Sequence, residues 1–127
     1  MRYVLDSSAL LALLLEEPGA ERVEAMLDGS LISVVNVAEV AATLARHFSM
    51  EEVRSILGDS GPVAVAADEQ LAIEAGLLRP ATDFAGLSLA DRFCLALGRR
   101  LGLPVVTADR AWARVAEAAA VEVLLIR

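Results

Sequence analysis

Lysine is absent from this chain: all 11 basic residues are arginines, set against 18 aspartates and glutamates. The absence removes a P-loop, whose lysine reaches the nucleotide phosphates, and Schiff-base chemistry, which needs a lysine amine. A net charge of −7 leaves no broad basic footprint of the kind that holds nucleic acid non-specifically. Aromatic residues make up 4%, too few for a stacking platform for single strands. The one cysteine, Cys94, lies in the apolar stretch FCLAL. It has no intrachain disulfide partner and reads as a small buried hydrophobe, in keeping with a cytoplasmic location. The one histidine, His47, stands at the predicted end of a helix, where it suits the dipole. No Ser–His or Cys–His pairing supports nucleophilic catalysis. Long apolar runs are missing too. Ala9–Leu15 has the minimum length of a signal-peptide core, but Asp6 precedes it, Glu16–Glu17 follow at once and no A-x-A-like site appears, so a signal sequence is rejected. Nothing approaches the roughly 18 apolar residues of a membrane-spanning helix, so no membrane association is expected.

What is present is apolar. The hydrophobic share is 57%, above the roughly 45–50% of an ordinary soluble domain. Much of the excess is alanine, which suits close helix packing and leaves apolar surface for a partner. With 127 residues and no linker, repeat or low-complexity segment, residues 1–127 read as a single domain.

Short strands and helices alternate along the chain. Tyr3–Leu5, LISVV, PVAVA, PVVTA and VEVLLI read as strands. SALLALLLEE reads as a helix ended by Pro18–Gly19, and PGAERVEAMLDG as a second with Gly29 past its end. NVAEVAATLARHF puts Val37, Val40, Ala41 and Leu44 on one helical face. SMEEVRSILGD, ADEQLAIEAGLLR, SLADRFCLALGRRLG and DRAWARVAEAAA are further helices, and RPATDFAGL is the one long loop. This alternation predicts βαβ units, hence a parallel sheet covered on both faces. Ligands of such sheets bind outside the carboxyl ends of the strands, near a switch in strand order.

Four acids stand where that edge should be. Asp6 directly follows the first strand, and Asp109 follows PVVT by one residue. Glu39 and Asp91 fall in predicted first turns of helices, in N-V-A-E and S-L-A-D. Each has an ordinary structural explanation. Asn36-x-x-Glu39 and Ser88-x-x-Asp91 resemble capping boxes, as does Ser49-x-x-Glu52, and Asp6 and Asp109 are acceptable helix caps. Together they allow more. Carboxylates gathered at one site repel, and a hard divalent cation such as Mg²⁺ or Mn²⁺ removes that cost. Ser8 and Thr107, two residues from Asp6 and Asp109, either orient those carboxylates and their bound waters or act as plain cap hydroxyls. Arg92 and Arg110 each follow an acid, and either hold phosphates or pair with the chain's own carboxylates. Trp112 reads as a packing residue.

The segments D-S-S, A-E-V, L-S-L-A-D-R-F-C-L-A-L and V-V-T-A-D-R-A-W resemble a PIN domain, most closely the toxin ribonuclease of a VapBC toxin–antitoxin pair, over essentially the whole chain. The resemblance implies a three-layer α/β/α fold around a parallel five-stranded sheet in the order 3-2-1-4-5. It implies Asp6, Glu39, Asp91 and Asp109 as catalytic, metal-holding acids, with Ser8 and Thr107 beside them and Asn36 where such toxins often carry Ser or Thr. It implies a Mg²⁺- or Mn²⁺-dependent endoribonuclease leaving a 5′-phosphate and a 3′-hydroxyl, with RNA as substrate, a VapB-like antitoxin and a homodimer. The segments Ala20–Leu27 and Val37–Phe48 are the expected contact surfaces. The alternatives are a non-catalytic partner-binding domain of the same fold, and a metal-dependent phosphatase. The latter commonly wants D-x-D and a lysine, where this chain has D-S-S and none.

Overall fold

Five strands of two or three residues each form the sheet: β1 (Val4–Leu5), β2 (Leu31–Ser33), β3 (Val63–Val65), β4 (Val105–Thr107) and β5 (Val123–Leu125). In the computed structural model, which describes residues 1–127, all neighbouring strands pair parallel, in the order β3-β2-β1-β4-β5. Order reverses between β1 and β4, so the two strands that lead into Asp6 and Asp109 lie side by side. The helices are α1 (Ser7–Leu14), α2 (Ala20–Met26), α3 (Val34–Leu44), α4 (Met50–Gly58), α5 (Glu69–Leu77), α6 (Arg79–Thr82), α7 (Leu89–Leu101) and α8 (Ala116–Ala119). No helix is long and apolar enough to cross a membrane.

Strand alternation divides the core. Val4, Leu31 and Val105 turn to one face and pack with Leu71, Ala75 and the buried side of α7. Leu5 and Val106 turn to the other and meet Ala9, Ala12 and Val23 of α1 and α2. Ile32 joins Leu10, Val40, Leu44 and Val53, which seats α3 and α4. Helix α7 is buried from Arg92 through Gly98. It lies so close to the sheet that a Cβ at Gly98 would collide with Val105 Cγ1. Gly102 then stops it in the left-handed region, at φ 66. Cys94 and Trp112 are fully buried, as their sequence context implied.

Four elements differ from expectation. The run LISVV does not stay extended to Val35. Ser33 ends the strand, its Oγ accepts the Val35 N–H at 3.2 Å, and α3 begins at Val34. Side-chain capping here outweighs the β preference of two valines. Asn36 is therefore inside the helix rather than its cap, and Glu39 sits in the second turn rather than the first. The expected loop RPATDFAGL is mostly helical: α6 is followed by a 3₁₀ turn over Asp83–Ala85, stopped by Gly86 at φ 72. The expected helix DRAWARVAEAAA breaks into a 3₁₀ turn, Arg110–Arg114, and the short α8. Trp112 and Val115, three apart, are both fully buried, and the tighter 3₁₀ winding stacks such positions on one side. Helix α1 also ends early, with Glu16 in the left-handed region at φ 54 before Pro18 is reached.

Candidate metal centre

Asp6 extends the β1 ladder, its N–H donating to Val106 O at 2.9 Å, and it occupies the N-cap position of α1. Its side chain does not cap. Asp6 Oδ2 instead accepts from Ser8 Oγ at 2.6 Å and from Thr107 Oγ1 at 2.9 Å. Both hydroxyls are themselves held by the chain after β4: Ser8 Oγ accepts the Ala108 N–H at 2.9 Å and Thr107 Oγ1 the Asp109 N–H at 3.1 Å. A hydroxyl has one proton, so accepting from the backbone aims that proton at the carboxylate.

Glu39 comes from the second turn of α3. Its Oε1 accepts from Ser7 Oγ at 2.7 Å and from Asn36 Nδ2 at 3.1 Å. Asp91 comes from the first turn of α7 and is part of a complete capping box. Its Oδ2 accepts the Ser88 N–H at 2.9 Å, while its own N–H donates to Ser88 Oγ at 3.2 Å.

One oxygen from each of Asp6, Glu39 and Asp91 lies within 4.8 Å of the others. The hydrogen bonding has a shared logic. Each acid commits one oxygen to protein donors. The other has no such donor in Glu39 and Asp91, and in Asp6 only a 3.5 Å contact from Ser7, whose proton is better placed on Glu39. None of the chain's ion pairs reaches these acids.

The electrostatics record that crowding. Asp6 is 3% exposed and its carboxyl is pushed up to about 6, chiefly by burial. The Ser8 and Thr107 hydrogen bonds oppose that rise, and the charges of Asp91 and Glu39 add to it. Asp91 is also raised, first by burial and further by Glu39 and Asp109, against the capping bonds of Ser88. Burial and the same acids push the Cys94 thiol well up, so it stays a neutral packing group. Three hard oxygen donors without histidine or sulfur, close together and without a cation, fit Mg²⁺ or Mn²⁺ rather than a softer metal.

Asp109 stands apart from the trio. It is near enough to raise Asp91, but it is exposed, and its Oδ1 accepts the Ala111 N–H at 3.0 Å as the cap of the 3₁₀ turn. The two arginines also separate. Arg110 is exposed and in no ion pair, whereas Arg92 is 8% exposed, its Nε buried without a partner. Neither forms the salt bridge that a neighbouring acid would suggest. His47 is exposed in the turn beyond α3. The contribution of Ser7 to Glu39 was not legible in the sequence, and Asn36, paired there with Glu39 as a capping box, instead donates from its amide to the carboxylate inside the helix. The signal for Ser7 is its place in D-S-S: adjacent helical residues diverge by about 100°, so the two serines address two different acids. The two depressions in the surface, one lined by Glu24, Leu27 and Asp28 and the other by residues including Arg99, Pro104 and Glu122, contain none of these acids.

The family model described as PIN domain matches residues 3–118. No curated protein matches the chain. Among solved structures, the fold is similar to that of a DNA-bound VapBC from Salmonella typhimurium, with 18% identity and a TM-score of 0.76 over 100% of this chain and 99% of that one. It is similar to a toxin–antitoxin complex from Klebsiella pneumoniae, with 20% identity and a TM-score of 0.75 over 98% of each chain. It is similar also to FitAcB from Neisseria gonorrhoeae, with 23% identity and a TM-score of 0.67 over 98% of this chain and 97% of that one.

Proposed function

The chain belongs to the PIN domain family, and from that premise we propose that it is a divalent-metal-dependent endoribonuclease, the toxin of a VapBC-like toxin–antitoxin pair. The observation that carries the reading is the arrangement of Asp6, Glu39 and Asp91. Their ligand oxygens lie within 4.8 Å of one another, with no cation paired to them.

In this reading Asp6, Glu39 and Asp91 hold a Mg²⁺ or Mn²⁺ ion, with Asp109 at the margin. The bound ion supplies a water of lowered pKa and neutralises charge developing on the phosphate. Everything else falls to side chains. Ser8 and Thr107 fix the rotamer of Asp6 through Oδ2 and leave Oδ1 without a comparably short donor. Ser7 and Asn36 do the same for Glu39 through Oε1, and the Ser88 backbone for Asp91 through Oδ2. Asp6 or Asp91 takes the proton of the attacking water. Water attack in line leaves a 5′-phosphate and a 3′-hydroxyl. Arg110, exposed and unpaired, is the better placed contact for an RNA phosphate. Arg92 reaches the surface with only a small part of its guanidinium.

Two of the similar structures are a DNA-bound VapBC and a toxin–antitoxin complex, and the partner is carried over from them as part of the proposal. The antitoxin inhibits by placing a basic side chain, an arginine, among the acids. The guanidinium fork meets carboxylates bidentately and excludes both metal and phosphate.

The test is metal dependence together with product chemistry. Cleavage stops in EDTA and returns with Mg²⁺ or Mn²⁺. Ca²⁺, larger and looser in geometry, binds without comparable turnover. The 5′ ends of the fragments ligate without prior phosphorylation. Undiminished cleavage in excess chelator, or 5′-hydroxyl ends, would overturn the reading.

A further inference from the structure

Asn36 is fully buried, yet only half of its amide is used. Nδ2 donates to Glu39 Oε1 at 3.1 Å and to the Ala90 carbonyl at 3.2 Å. Oδ1 is buried with no partner at all. Because both contacts of the nitrogen are acceptors, the amide has only one sensible orientation. An unsatisfied buried acceptor is destabilising. A residue kept at that cost with both protons engaged is there as a double donor.

The two acceptors belong to different elements. Glu39 lies on α3 in the same turn as Asn36, and Ala90 lies in the first turn of α7, next to Asp91. One amide therefore spans from the carboxylate of the first acid to the backbone that carries the second. The bond to Oε1, together with that from Ser7 Oγ at 2.7 Å, leaves Oε2 as the oxygen without a protein donor. The bond to Ala90 O sets how far α7 stands from α3, and so the separation of Glu39 from Asp91.

We infer that Asn36 is a positioning residue for the metal centre, which aims the Glu39 carboxylate and fixes its spacing to Asp91 without touching the ion. The inference rests on the metal-dependent reading above and deepens it. Ligand-orienting neighbours of this kind typically contribute about 10–100-fold to metal affinity.

The experiment is a Mn²⁺ titration of purified metal-free protein, followed by calorimetry and by the EPR signal of free Mn²⁺, with thermal unfolding in EDTA run beside it. Three proteins are compared: wild type, Asn36→Leu and Asn36→Ser. The leucine keeps the branched outline with a larger volume, removes both donors and also removes the orphaned acceptor, and unfolding in EDTA reads directly how much stability the metal-free fold keeps. The expected result is a 10–100-fold weaker Kd for Asn36→Leu, with part of the loss recovered in Asn36→Ser, whose hydroxyl restores one donor. Should the leucine variant not fold, the serine variant carries the test alone, with a Kd weakened several-fold at an unchanged unfolding temperature. Wild-type Mn²⁺ affinity in the folded variants would overturn the inference while leaving the metal reading intact. If the wild type itself bound no Mn²⁺, the metal reading would fall and the inference with it.

Discussion

At Asp6, two requirements conflict and the conflict is measurable. The carboxylate is buried beside Asp91 and Glu39, so the metal-free fold prefers it protonated, with the carboxyl raised from 3.8 to about 6. A folded-state value above the unfolded one means that the proton stabilises the fold. That contribution is complete below pH 3.8 and is lost as pH rises through about 6. At neutral pH the charged form therefore costs the metal-free protein on the order of 3 kcal/mol. Asp6→Asn should remove most of this cost while leaving an amide oxygen to accept from Ser8 and Thr107. Urea unfolding in EDTA should show the variant more stable than wild type at pH 7 and the two converging toward pH 4. A constant difference across that range would refute the account of Asp6. The same variant should lose more than about a hundredfold in RNA cleavage, since even neighbours of metal ligands are worth about 10–100-fold. Residues at element boundaries were legible from sequence: Asp6 after a strand, Asp91 three past a serine, Asp109 one past the strand PVVT. Ser7 and Asn36 were not, because the partners that reveal their roles lie 32 and 54 positions away.

Helix α3 shows how an element's start moves a site. The valines after Ser33 favour a strand, and sequence pattern alone places the helix start near Asn36. The Ser33 cap starts it at Val34, which carries Asn36 inward and puts Glu39 in the second turn. Ser33 and Ser49 both cap helices through Oγ, but only α3 carries part of the site. Ser33→Ala and Ser49→Ala should each cost about 1 kcal/mol in urea unfolding. Mn²⁺ affinity should fall in Ser33→Ala alone; an equal effect from Ser49→Ala would mean that general loosening, not the seating of α3, sets the affinity. Helix α7 was legible in full, since Ser88 opens it with a capping box and Gly102 closes it. The segment from Arg110 to Ala119 was not, because burial of Trp112 and Val115 wound it as a 3₁₀ turn that the alanine-rich pattern conceals.

For the whole molecule the governing fact is charge. A chain at −7 with no lysine has little long-range attraction for RNA, so RNA binding should depend on the metal and change little with salt beyond the few phosphates held near the site. Filter binding in EDTA and in Ca²⁺ across a salt series checks this; strong, steeply salt-dependent binding in EDTA would contradict it. The same charge should draw a basic antitoxin quickly. Replacing each arginine and lysine of its toxin-binding segment with alanine should yield one variant that still binds but no longer inhibits. The hydrophobic share of 57% and the helices bearing Ala20–Leu27 and Val37–Phe48 motivate a homodimer, which light scattering at tens of micromolar should detect. A covered parallel sheet and the gathering of acids at one of its edges were legible from the alternation of strands and helices, whereas the strand order came only from the family resemblance. What the sequence did not show is how the four acids are arranged: Asp6, Glu39 and Asp91 lie together, with Asp109 exposed beside them. The most direct test of the central claim, that Asp6, Glu39 and Asp91 hold the metal that cuts RNA, is cleavage of one labelled RNA in Mg²⁺ by wild type and by Asp91→Asn prepared free of wild-type protein. The account predicts discrete fragments from the wild type and none from a variant that remains folded; full cleavage by Asp91→Asn would contradict it.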